Sequence, residues 1–163
     1  MLIRLKNKDR LIVDEFVFKC SIGKNGLKNN KREGDLSTPK GIFSIKKLYY
    51  RSDKVKKINT KVQKIKITKD MGWCNDPKSK NYNSLINIKK KIKHEKMFRK
   101  DRKYDLLLTL DYNLYKPIPF KGSAIFIHLT NNYKKTAGCV ALNKKDMLIL
   151  LKLINKESKI LLT

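Results

Sequence analysis

A mainly β fold with a single helix near its C-terminal end is what this sequence predicts, and three observations carry that prediction. Segments rich in β-branched and aromatic residues recur between Leu2 and Leu129, separated by polar turns. The stretch Leu106-Leu-Leu-Thr-Leu110 is apolar on both faces, as a central strand must be. Only after Asn143 does the apolar period become helical, with Met147, Leu148, Leu151 and Ile154 on one side.

Taken in order, Leu2–Leu5 and Leu11–Cys20 read as two strands joined by the polar turn Lys6–Arg10. Ser21–Gly26 carries turn chemistry, and Lys28–Leu36 is a polar loop. Thr38-Pro39-Lys-Gly41 then restricts the backbone ahead of a strand over Ile42–Tyr50. Lys54–Lys69 alternates at Val62, Ile65 and Ile67, which supplies one more strand. Gly72–Asn83 is a long polar loop punctuated by aromatics, and lysine-rich Ser84–Arg102 has room for a short helix. Strands are expected over Tyr104–Tyr112 and Ser123–Leu129, with Pro117 and Pro119 breaking the chain between them. Val140–Leu142 is a short strand, Asn143 caps a helix running to about Asn155, and Ile160–Leu162 closes the chain as a strand. No repeat or linker interrupts the pattern, so a single domain over residues 1–163 is expected.

Composition sets limits on function. The chain carries 40 Lys and Arg against 14 acids, a formal charge of +26. Such a field attracts polyanions of any kind. The lysines, however, recur in almost every segment, and no zinc finger, RNP motif or basic zipper is present, so no specific nucleic-acid partner is expected. No apolar run is long enough for a membrane span. The amino terminus enters strand-like sequence directly, without the apolar stretch of a signal peptide, which leaves a cytoplasmic location open. Cys20, Cys74 and Cys139 are too few and scattered for a disulfide scaffold. A Cys20–Cys74 bridge is the one pairing left open, and Cys20 alternates with core residues as an inert thiol would.

The chemistry concentrates in Ala124-Ile-Phe-Ile-His128 and Thr136-Ala-Gly-Cys139-Val. A histidine ends an apolar strand, a polar loop returns the chain, and a cysteine follows glycine at the next element. Singly, each has a structural reading: a small buried hydrophobe, a satisfied core histidine. Together they form a thiol with a base. A free cysteine is mostly protonated at neutral pH, so a nucleophilic Cys139 needs His128 to withdraw its proton and return it to a leaving amine. Gly138 is expected to leave room for an approaching carbonyl, and the consecutive amides of Ala137, Gly138 and Cys139 to face the oxyanion.

These residues resemble the signature of the YkuD-type L,D-transpeptidases, in which a histidine precedes a Ser/Thr-x-Gly-Cys motif. Glu33-Gly-Asp-Leu-Ser-Thr-Pro-Lys-Gly-Ile-Phe43 is similar to the family's G-D-x-x-T-P-x-G-x-F element. Gly72-Trp-Cys-Asn-Asp, Tyr82-Asn83, His94-Glu95 and Gly122–His128 match the branch with a tryptophan-containing insertion, so the likeness runs over most of the chain. It implies a β-sandwich with a long loop insertion and acyl transfer through a Cys139 thioester. The substrate would be a peptidoglycan stem peptide cut beside D-alanine, with a neighbouring stem amine as acceptor, or water in a carboxypeptidase. It further implies that the Leu129 carbonyl orients the imidazole, that no metal or organic cofactor takes part, and that the protein works as a monomer in the cell envelope or periplasm. Trp73, Asp76, Tyr82 and Thr136 are expected at the substrate, the first three as a lid or as packing for their loop. Ala137 and Ala141 depart from the family, which often has histidine and arginine or asparagine there. His94 has a loop-anchoring role as its default. The competing reading is a basic module, without catalysis, that holds nucleic acid or an anionic wall polymer.

Overall fold

A computed structural model describes residues 1–89 and 91–163. Its strands are β1 (Leu2–Lys6), β2 (Arg10–Val13), β3 (Phe16–Ser21), β4 (Leu27–Lys28), β5 (Thr38–Pro39), β6 (Gly41–Tyr50) and β7 (Gln63–Lys66). They are followed by β8 (Met71–Cys74), β9 (Leu85–Asn87), β10 (His94–Lys96), β11 (Leu106–Leu110), β12 (Phe126–Leu129) and β13 (Val140–Leu142). Helix α1 (Lys144–Leu153) and β14 (Lys159–Leu162) complete the chain.

The main sheet runs β11-β12-β13-β3-β2-β1-β14-β6-β7, and a further β11–β6 pairing joins its far parts into a ring. Ten-residue β6 makes this possible: Gly41–Ser44 pairs with β14, whereas Ile45–Tyr50 pairs with β11 and β7. The result is the expected mainly β sandwich, its two layers sharing β3 and β6. Aliphatic side chains such as Ile3, Leu11, Leu48, Leu108, Ile127 and Leu142 fill the space between the layers.

The predicted strand Leu11–Cys20 is two strands. Asp14 adopts φ 49, and the chain reverses there so that Val13 pairs with Phe16. A short acid tolerates that left-handed conformation at a turn where a β-branched residue would not. The second difference is larger. Part of the Gly72–Asn83 loop and the lysine-rich segment after it form a three-stranded antiparallel sheet, β10-β8-β9, rather than loop and helix. (Lys90 lies outside the described residues.) The helix follows the sequence: the Asn143 side chain accepts from the Asp146 N–H, and Met147, Leu150 and Leu151 are buried.

Alternation places residues of one strand on two faces. Leu106, Leu108, Ile127, Leu129, Val140 and Leu142 enter the aliphatic core. Leu107, Phe126 and Cys139 point the other way, where Trp73, Met97 and Tyr104 cover them. The small sheet thus packs on the outer face of the layer that carries the cysteine.

Candidate active site

β12 and β13 run parallel, pairing Ile127 with Val140 and His128 with Ala141. Cys139 lies two residues before Ala141 and therefore returns to the face of His128. Both line a cavity of about 860 Å³, together with Lys31, Glu95, Arg99 and Tyr104.

The imidazole is held by the Leu129 carbonyl, which lies 2.9 Å from Nδ1. A carbonyl only accepts, so Nδ1 carries the proton and Nε2 keeps its lone pair. The ring is buried and meets the edge of Tyr104, centroid to centroid 5.6 Å. Burial, reinforced by the Lys103 and Arg99 charges, holds its pKa down to about 4 against the Leu129 hydrogen bond, which favours the charged form.

Cys139 is 9% exposed. Its thiol donates to the Ala124 carbonyl at 3.1 Å and accepts from the Phe126 N–H at 3.4 Å. No hydrogen bond joins it to His128 among the described residues. Burial first, then the Glu95 carboxylate, pushes the thiol up to about 12, with the Phe126 N–H and Lys31 opposing. At rest the pair is therefore neutral on both sides, a protonated sulfur and an unprotonated Nε2.

Gly138 has φ 145, and a Cβ there would lie 2.8 Å from the Ser37 carbonyl oxygen. The glycine thus makes room for the protein's own backbone rather than for an incoming carbonyl. Its amide also departs from expectation: it donates to Thr136 Oγ1 at 3.1 Å, while that hydroxyl donates to the Cys139 carbonyl at 2.6 Å. Thr136 therefore locks the turn that presents the cysteine, although it also borders the cavity. Among the described residues, the Ala137 and Cys139 amides take part in no such bond.

Trp73, Asp76 and Tyr82 do not line the cavity. Trp73 is packed edge-on against Phe126 (5.1 Å) and donates from Nε1 to Asn83 Oδ1 at 2.9 Å. Asp76 accepts from the Lys78 N–H within its own turn. Tyr82 donates to Glu33 and accepts from the Gly122 N–H at 3.0 Å. Among the described residues Asn75 Oδ1 is buried without a hydrogen-bond partner, and Asn75 and Ser123 both border the cavity. His94 borders it too; its Nδ1 sits 2.6 Å from the Ile92 carbonyl and its ring fills the space over Gly72. All three cysteines are free, so the Cys20–Cys74 bridge is absent. Burial pushes the Cys20 thiol up to about 12.

Three contributions were not assigned from the sequence. Thr38 Oγ1 donates to the Gly138 carbonyl at 2.7 Å and accepts from the Gly23 N–H at 2.8 Å, clamping the cysteine turn from a residue 100 positions away. Lys31, almost fully buried, bonds Asp35 at 2.7 Å. Burial alone would raise the Asp35 carboxyl, but Lys31 and the Arg32 and Ser37 amides hold it near 2. Glu95 accepts from the Tyr104 hydroxyl, and burial raises its pKa. Thr38 and Glu95 lie inside the T-P-x-G element and the His94-Glu95 pair, signals that could have found them, whereas Lys31 is hidden among many similar charges.

No curated protein matches the chain. Among solved structures, two of the helical cell shape determining protein Pgp2 from Campylobacter jejuni superpose with TM-scores of 0.52 and 0.51 at 15% identity. They cover 98% of this chain and 46% and 45% of their own. Bd1075 of Bdellovibrio bacteriovorus aligns at 16% identity and TM-score 0.49, over 99% of this chain and 47% of that one. The chain spans about half the length of these proteins, and at such identity the likeness to the Pgp2 structures is one of fold. Family membership rests on sequence: the model of the YkuD family, the L,D-transpeptidase catalytic domain, matches residues 2–162, and the chain belongs to that family.

Proposed function

We propose that residues 1–163 form a single cysteine acyltransferase domain acting on peptidoglycan stem peptides, with Cys139 as nucleophile and His128 as base. The observation that carries this reading is the shared face of β12 and β13. It sets a thiol and an imidazole with a free Nε2 lone pair beside one cavity.

The neutral resting pair defines the order of events. On binding of a donor stem, the Cys139 side chain turns from the Ala124 carbonyl towards Nε2, which takes the thiol proton as sulfur attacks the carbonyl preceding D-alanine. The developing oxyanion is met by the amides of Cys139 and Ala137. The Gly138 amide contributes only if it leaves Thr136. Imidazolium then gives the proton to the leaving amine, D-alanine departs, and a thioester remains. An amine of a second stem attacks the thioester, Nε2 takes its proton, and the thiol is regenerated as the new amide forms. Water in place of the amine yields a shortened stem.

The lining suits such a substrate. Lys96, Arg99, Lys103, Lys134 and Lys135 border the cavity and offer charge to the carboxylates of a stem peptide. Asn75 and Ser123 border the cavity as well, whereas Trp73, Asp76 and Tyr82 do not, so the polar substrate contacts are assigned to the former pair. The activity would place the protein at the cell wall; among the described residues no helix is long and apolar enough to cross a membrane.

The test is incubation of the purified protein with a defined tetrapeptide muropeptide, followed by mass spectrometry of products and of the protein. Release of D-alanine with a transient acyl adduct on Cys139 is expected, as is a stable adduct with a carbapenem. Cross-linked or shortened stems then identify the acceptor. A folded protein that releases no D-alanine and takes no adduct overturns the reading. Saturable, salt-resistant DNA binding unaffected by Cys139→Ala would replace it with a polyanion-binding module.

A further inference from the structure

The carbonyl that holds the thiol belongs to a residue in an unfavourable conformation. Ala124 has φ 53, a left-handed backbone that non-glycine residues seldom adopt unless their surroundings impose it. Its surroundings do so from the insertion. The Ala124 N–H donates to Asn83 Oδ1 at 3.0 Å, and Trp73 Nε1 donates to the same oxygen at 2.9 Å. Asn83 Nδ2 donates to the carbonyls of Tyr112 (3.1 Å) and Asn113 (2.6 Å). Asn83 is 2% exposed, and each of its amide atoms has two partners. Two residues before Ala124, the Gly122 N–H is held by the hydroxyl of Tyr82. The Tyr82-Asn83 pair therefore grips both ends of the segment 122–124, and Ala124 O is aimed at Cys139 Sγ.

We propose that Asn83 is a positioning residue for the nucleophile: it holds Ala124 in its left-handed conformation, and the Ala124 carbonyl in turn fixes the rotamer and the proton of Cys139 until substrate displaces it. The tryptophan-containing insertion is thereby coupled to the sulfur without touching it. A carbonyl that accepts S–H stabilises the neutral thiol, so releasing that carbonyl favours the thiolate. The other groups near the sulfur are Glu95, Tyr104, Lys31 and His128, and they are the same in every variant below. The inference deepens the reading of Cys139 as nucleophile and rests on it for its functional meaning. Its test reads the thiol directly.

The experiment is the pH dependence of iodoacetamide labelling at Cys139, followed by peptide mapping in the folded protein, alongside D-alanine release. Asn83→Ala is expected to shift the labelling midpoint downward by about one pH unit, raising labelling at neutral pH on the order of tenfold, and to slow turnover. Ala124→Gly, which accepts a left-handed φ without help, is expected to label like the parent and, combined with Asn83→Ala, to return the midpoint towards it. Should Asn83→Ala fail to fold, Ala124→Val gives the same downward shift, because a β-branched residue abandons that conformation. A lowered Tm with an unchanged midpoint in Asn83→Ala, or a parental profile in Ala124→Val, overturns the proposal. If the parent protein never releases D-alanine while the midpoints shift as stated, the substrate assignment falls and the positioning role stands.

Discussion

The two apolar clusters on either side of the cysteine-bearing layer are built differently. The cluster between the layers is almost wholly aliphatic, with Ile3, Leu11, Leu48, Leu106, Leu108 and Leu142 fully buried. The cluster under the small sheet is aromatic and carries polar handles: Trp73 on Asn83, Tyr104 on Glu95, and Arg51 stacked 3.5 Å above the Phe98 ring. Aliphatic packing is set by volume and tolerates rearrangement, whereas indole, phenol and guanidinium groups must find directed partners. Placing Cys139 in the second cluster surrounds the sulfur with atoms whose directions are fixed.

The largest effect that separates the regions is on turnover. Cys139→Ala is expected to lower D-alanine release by at least about a thousandfold while leaving Tm nearly unchanged, measured by product mass spectrometry and thermal melts. Leu108→Ala tests the opposite region: a fully buried aliphatic residue is deleted, and denaturant titration should show a loss of about 2–5 kcal/mol. Cys139 in the folded fraction of that variant should still acylate.

Acid sharpens the contrast, because the titratable members of the aliphatic core, Cys20 and Tyr112, both have raised pKa values and stay protonated there. His128 is held near 4, below its ordinary value of 6.5, so the unfolded chain takes up its proton first as pH falls. Its contribution to stability is complete above 6.5 and is lost between there and about 4, on the order of 3 kcal/mol. Comparing denaturation of the parent and His128→Gln across that window isolates the term. The same depression predicts that the acid limb of Cys139 acylation lies well below pH 6.5. Smaller again, Thr38→Val removes the clamp on Gly138 at equal volume, and about 1–3 kcal/mol is expected from the two groups left bare. The accompanying fall in turnover should exceed that of Trp73→Phe, which costs about 1 kcal/mol and leaves Asn83 with Ala124.

Legibility in the sequence followed the same division. The aliphatic layer announced itself, since Leu106–Leu110, Ser123–Leu129 and the Asn143-capped helix have clear periods and caps. The small sheet did not: β9 and β10 are three-residue strands in a lysine-rich stretch, and they are strands because β8 supplies their partners. A motif was enough to mark Cys139 and His128 as candidates and to suggest the contact between the imidazole and the Leu129 carbonyl, which lies 2.9 Å from Nδ1. It said nothing of which atom Gly138 faces, because the Ser37 carbonyl arrives from a residue about a hundred positions earlier. Lys31 looked like any other lysine until the fold buried it against Asp35.

Closure of eight strands into a ring leaves β7 as the outermost strand of the main sheet. That rim reads Gln63-Lys-Ile-Lys66, with both lysines exposed. A second molecule adding its own copy of this strand would bring ammonium groups against ammonium groups, on a chain that already bears a large positive excess. Fibre-like growth by backbone pairing is thus discouraged at the place where this architecture would otherwise invite it.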